Sequence, residues 1–278
     1  MQHQCFAQLG CFADIRKGSL IILSTMSHLD ALPSENHFAW LHKAYDEVGD
    51  RTWTSEDFHG ANLETSRGLF TPESLAARRP RPKELEVFAL LAGLSFRVDF
   101  TEKLVNVQQL ISSVVGERLH YWVAPANLGV EFCVFKWPTD TWQEERLGPI
   151  REALASIRQP SFTFSIGGVQ VNPDGCVVAK GFDEEGILFR IREQMKGQIS
   201  FLPPRQSGWA HVPLGRILEP LGTQKFKKLN LLISTMSNSL IATTQINSIK
   251  LVHETRWYME EKTILAEYPL NNTSGEQA

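Results

Sequence analysis

His211 and Pro213 stand two residues apart in SGWAHVPLGRI, Ser207 to Ile217, and are followed by Gly215 and Arg216. In a strand, residues i and i+2 face the same way. An imidazole and a pyrrolidine ring would therefore share one surface. The imidazole titrates near neutral pH and could give or take a proton if it has a partner. Gly129 and Glu131 repeat the spacing in PANLGVEFCVF, Pro125 to Phe135. A carboxylate in an apolar cleft has a raised pKa and could serve as a base. The plainer alternative for Glu131 is an ion pair with Arg216, Lys136 or Arg205, or exposure to water. Arg216 could bind an anion, although a salt bridge suits it better. His120, across the Pro125 turn, is a less well placed second imidazole. Trp122, Trp137, Trp209, Trp257 and Tyr258 could stack a base or simply pack in core and rim.

These side chains need a frame. Residues 1–85 show few strand signals. Ser34 caps an expected helix with Phe38, Leu41 and Tyr45 on one face. Thr71 and Pro72 start a second one, and RRPRPKE, Arg78 to Glu84, reads as a solvated basic turn. ELEVFALLAGL reads as helix-compatible, and Leu94 to Phe100 alternates like a half-buried strand. Thr101 then caps a helix through Leu110 and Ile111. A strand follows over Leu128 to Trp137, and then an amphipathic helix bent at Gly148-Pro149. The second half runs as strand, Asn172-Pro173-Asp174-Gly175 turn, strand. A helix capped by Asp183 comes next, and then the His211 strand, a helix over Glu219 to Thr235, and two closing strands. The order predicts an α+β architecture with pseudo-twofold symmetry.

With 278 residues, 42% hydrophobic, the chain can bury a large core. A net charge of −3 demands no polyanionic partner. Cys5, Cys11, Cys133 and Cys176 form no Cys-x-x-Cys pair, so a zinc site is not expected and buried free thiols are. LIIL near the N-terminus is too short for a signal sequence, and no run has the length of a membrane helix. The chain reads as cytoplasmic, with no membrane partner. The Asn-x-Ser/Thr matches at Asn271 and Asn272 read as tail residues. Residues 1–25 lack an amphipathic pattern and are expected to be loosely attached, with Met26 as an alternative start.

From about Glu84 to Leu270 the chain resembles the 2H phosphoesterase superfamily, which includes 2′-5′ RNA ligase-like and cyclic phosphodiesterase-like proteins. Four stretches carry the resemblance: PANLGVEFCVF, FTFSIGGVQVNPDGCVVAKGFDEEGILFRIREQM, WAHVPLGRI and IKLVHETRWYM. The resemblance implies a two-lobed fold with antiparallel sheets and flanking helices, divided as a helical extension over 1–85 and a 2H-like domain over 86–278. It also implies two His-x-Thr/Ser strands, whose imidazoles act as acid and base while their hydroxyls hold phosphate, with no metal or cofactor. Here Gly129 and Glu131 replace the first pair, and Pro213 replaces the second hydroxyl residue. The reading is a degenerate protein that binds a nucleotide, RNA end or related phosphate ligand with weak or no hydrolysis. Glu131 and His211 are its candidate catalytic groups, and Gly129, Pro213, Arg216 and Arg205 its candidate ligand contacts. Two alternatives stand beside it. One is an active phosphodiesterase with an altered site. The other is an acid/base pair, Glu131 and His211, acting on a non-phosphate substrate.

Overall fold

The computed structural model describes residues 34–271. The expectations for residues 1–25, Met26, Cys5, Cys11 and Asn272 lie outside that range. Two antiparallel sheets form the frame. The first, in spatial order, holds β3 (Gly129–Lys136), β1 (Glu84–Gly93), β8 (Ser248–Arg256) and β9 (Glu261–Pro269). The second holds β2 (His120–Trp122), β6 (Val212–Ile217), β5 (Cys176–Phe182), β4 (Phe162–Val171) and β7 (Ala242–Ile246). Helices α1 (Ser34–Thr52), α2 (Gly60–Arg67), α3 (Pro72–Ala76), α4 (Val98–Val115), α5 (Leu147–Ala155), α6 (Ile187–Gln198) and α7 (Thr223–Met236) complete the described chain. No helix among the described residues is long and apolar enough to cross a membrane.

Two local expectations are corrected. ELEVFALLAG is strand β1, not helix. It lies between β3 and β8, with Phe88, Leu90 and Ala92 in one apolar cluster and Val87, Ala89 and Leu91 in another. A strand buried on both faces is apolar at every position and hides its period of two. The stretch from Leu94 to Phe100 is not a strand. Gly93, Leu94 and Ser95 all have positive φ, which ends β1 and turns the chain. The next helix accordingly starts at Val98, ahead of Thr101, with Asp99 favourably placed in its first turn. Phe100, Leu104, Val107, Ile111 and Val115 form its buried stripe. Strand β7 was not legible as a separate element.

Other signals match the fold. Asp183 does not occupy the cap position itself, but its carboxylate accepts the Leu188 N–H at 2.7 Å and the Glu185 N–H at 3.1 Å at the start of α6. Cys133 and Cys176 are buried free thiols. The described part of the expected extension joins the main core through Leu41, Tyr45, Phe58 and Leu63. The Tyr45 hydroxyl donates to the Gly181 carbonyl, and Thr52 donates to that of Val171. Buried Lys180 reaches back to Asp46 of α1 at 3.2 Å.

Candidate functional site

The edge strand β3 and the segment leading into β6 face each other where the two sheets meet. Gly129, Glu131, His211 and Pro213 line one cavity there, together with Leu91, Leu94, Val123, Asn127, Ser207, Trp209, Tyr258 and Met259. The spacing of two thus brings both sequence pairs to one surface. Val212 starts β6, so His211 lies just before the ladder rather than in it. Pro213 has no N–H to give. It sits where β2 pairing has not begun and beside a register shift between Val177 and Val178 of β5, a position that spares the ladder.

Local packing holds this approach close. A Cβ on Gly181 would lie 1.9 Å from the Ala210 carbonyl oxygen, so β5 needs glycine there to run against the residue before His211. Arg192 of α6 fixes the other side. It is 4% exposed, and it donates to the Glu131 and Phe132 carbonyls of β3 and to the Trp209 carbonyl. One guanidinium therefore ties the two strands that carry the site residues.

The cavity is nearly full. Its free volume is about 20 Å³, room for about one water molecule. Part of the filling comes from the β8–β9 turn. Tyr258 and Met259, at its centre, both have left-handed backbones with φ of 64° and 57°. Hairpin turns of that shape favour Asn and Gly; here two large side chains occupy them and enter the cavity. The turn is held from three sides. Glu254 accepts the Met259 N–H at 2.8 Å, Arg216 donates to the Tyr258 hydroxyl, and Tyr121 donates to Glu260.

The remaining site candidates fall outside the cavity lining. Arg216 is a candidate ligand contact by sequence. The structure instead buries it at 1% exposure in an ion pair with Asp174 at 2.7 Å, with Ser66 as a further acceptor. Arg205 stacks over Trp137 at 5.2 Å, and its charge partly offsets the burial that raises the Glu131 pKa. His120 holds the Arg118 carbonyl through Nδ1 at 2.6 Å. Lys136 pairs with Glu86. Of the aromatic residues considered for stacking, Trp209 and Tyr258 line the cavity. No lysine or arginine does so among the described residues. By sequence pattern, every motif hydroxyl is lost. Ser207 supplies one from the loop, where its oxygen accepts the Trp209 N–H at 3.2 Å. Nothing in the local sequence pattern marked Ser207 or Met259.

Burial pushes the Glu131 carboxyl up to about 7, against the pull of the Arg192 and Arg205 guanidiniums. Its Oε2 has no hydrogen-bond partner among the described residues. Burial also pushes Glu254 up to about 8; the Met259 N–H opposes this and the Glu131 charge adds to it. Both groups bind protons more tightly folded than unfolded, where the ordinary value is 4.5. Their contribution to stability is therefore whole below about pH 4.5. It is lost as pH rises through about 7 for Glu131 and about 8 for Glu254. Thermal melts should show the midpoint falling between pH 5 and 9 (roughly the window of these shifts). Glu254→Gln should flatten that fall by an amount on the order of 5 kcal/mol at the alkaline end. A midpoint that rises with pH across this window would contradict the burial of these carboxyls.

No family model matches the chain, and no curated protein matches it. Solved structures do. TT0787 of Thermus thermophilus is 14% identical over 67% of this chain and 99% of its own, with a TM-score of 0.50. A structure described as a phosphoesterase is 14% identical over 68% of this chain and 100% of its own, also at 0.50. E. coli LigT complexed with ATP is 13% identical over 68% of this chain and 100% of its own, at 0.47. The likeness is one of fold.

Proposed function

We propose that this chain, which has a 2H phosphoesterase-like fold, is a degenerate form of it with weak or no phosphodiester hydrolysis. The observation that carries this reading is the cavity itself. Where the fold's chemistry calls for two imidazoles and two motif hydroxyls, the lining offers Gly129, Glu131, His211 and Pro213, with about 20 Å³ of free space. A phosphate at this point meets a carboxyl and, among the described residues, no lysine or arginine from the lining. When that carboxyl, whose pKa burial raises to about 7, is ionised, two like unit charges ~4 Å apart repel by about 4 kcal/mol at an effective dielectric near 20. A nucleotide or RNA end, the ligand class the resemblance implies, would enter only after the Tyr258–Met259 turn moves out. Calorimetric titration with a nucleoside 2′,3′-cyclic phosphate and a 2′-5′-linked dinucleotide should give no saturable binding below millimolar concentration. Micromolar binding with rapid hydrolysis of the bound ligand, both lost on His211→Ala, would overturn the reading.

A second reading has its own support. Glu131 at a pKa of about 7 shares the cavity with His211, and a group poised near neutral pH is suited to proton transfer. An uncharged group small enough for the cavity would meet one acid and one base without the repulsion that a phosphate meets. In that case Glu131→Gln abolishes turnover of the neutral substrate, whereas a purely degenerate cavity loses nothing by the change.

A further inference from the structure

We infer that a second cavity, between α1 and α6, is a binding site for an organic carboxylate with an aromatic or aliphatic body. This goes beyond the reading of the inter-sheet cleft and concerns different residues. The cavity encloses about 570 Å³, within the ~300–1,000 Å³ range of small-molecule sites, whereas the cleft holds about 20 Å³.

Its wall carries an unmet donor. Three carbonyls take up the Nε and Nη2 of Arg192, but Nη1 is buried and has no hydrogen-bond partner among the described residues. A buried charged donor left without an acceptor is costly, so native proteins rarely leave one unless something else meets it. His37 of α1 lines the same cavity, and its Nε2 is likewise buried without a partner there. Both groups pack on Phe189, with the His37 ring centroid 3.5 Å from its own and the Arg192 guanidinium 5.0 Å over it.

The acids in the wall are already engaged. Glu193 pairs with Lys196 at 2.6 Å, and Asp183 accepts backbone N–H groups at the start of α6. Among the described residues, no carboxylate is bonded to Arg192 inside the cavity. Phe38, Leu41 and Phe189 give the rest of the wall an apolar face. Once side-chain movement uncovers them, one guanidinium N–H and one imidazole would match the two oxygens of a carboxylate. It undersupplies a phosphate dianion, whose oxygens take more donors than this. The apolar face would hold the ligand's body.

The test is calorimetric titration of the full-length protein with 3-phenylpropionate and octanoate, beside their amides and inorganic phosphate. The carboxylates should bind saturably, about tenfold or more tighter than the amides, which is the size expected for a hydrogen bond to a charged group. Arg192→Met should remove that preference. Because Arg192 also ties β3 to the Trp209 segment, that variant risks misfolding. His37→Phe, on the partly exposed face of α1, provides the second arm. It keeps the ring packing against Phe189 and should weaken carboxylate binding about tenfold while leaving the melting midpoint near native. The inference is overturned if carboxylate and amide bind alike, if phosphate binds more tightly than both carboxylates, if nothing in the panel binds, or if His37→Phe folds and binds as the native protein does.

Discussion

Replacing Gly129→His, Glu131→Thr and Pro213→Thr should leave the protein without cyclic-phosphate hydrolysis, and adding Tyr258→Asn and Met259→Gly should create it. The first three changes restore the family's residue types. They also remove the carboxyl that opposes phosphate. Yet the cleft has room for about one water molecule, and two of the side chains that fill it come from the β8–β9 turn. A Cβ at position 129 would already meet the Ala92 carbonyl oxygen at 3.0 Å, so the new imidazole needs the strand to give by a few tenths of an ångström. Asn-Gly fits the left-handed backbone at 258 and 259 better than Tyr-Met does. The last two changes therefore clear the cavity and suit the hairpin backbone, although they remove the Arg216 hydrogen bond to the Tyr258 hydroxyl. A positioned acid/base group contributes ~10²–10⁴-fold, and the five-site variant should exceed the three-site variant by that range. Initial rates on a nucleoside 2′,3′-cyclic phosphate decide it. Equal activity in the two variants would show that the turn does not close the site.

Asp174→Ala should cost about 3–5 kcal/mol of folding stability, because it strands the Arg216 guanidinium at 1% exposure. At roughly 2–4 °C per kcal/mol for a chain near this size, the melting midpoint should drop by about 6 °C or more. The pair Asp174→Leu with Arg216→Met should cost clearly less, since it leaves no buried charge behind. The effect extends to the cleft, because Arg216 also holds the Tyr258 hydroxyl. Urea unfolding of the native protein and the two variants measures the difference. A loss under about 1 kcal/mol for Asp174→Ala would mean that water reaches the pair.

Much of the frame was legible from local pattern. Asn172 to Gly175 forms the expected turn between β4 and β5, and the helix stripe of Phe38, Leu41 and Tyr45 lies in α1 as its spacing indicates. The pairing of Gly129 with Glu131, and of His211 with Pro213, followed from the strand period alone. What escaped had no local signature. β1 is buried on both faces, so its sequence carries no alternation. The fate of Arg216 depended on Asp174 and Ser66, which lie 42 and 150 residues away in the chain. The filling of the cleft by Tyr258 and Met259 depended on a turn made with residue types that rarely make it. The second cavity rests on contacts between α1 and α6, whose apolar residues read only as ordinary helix faces.

The most direct measurement of the central claim is single-turnover hydrolysis of a nucleoside 2′,3′-cyclic phosphate by native protein in excess, run beside His211→Ala prepared the same way. The account predicts a native progress curve at or barely above the buffer background. Turnover by the native protein that exceeds that background by ~10²-fold or more, and that His211→Ala removes, would contradict it.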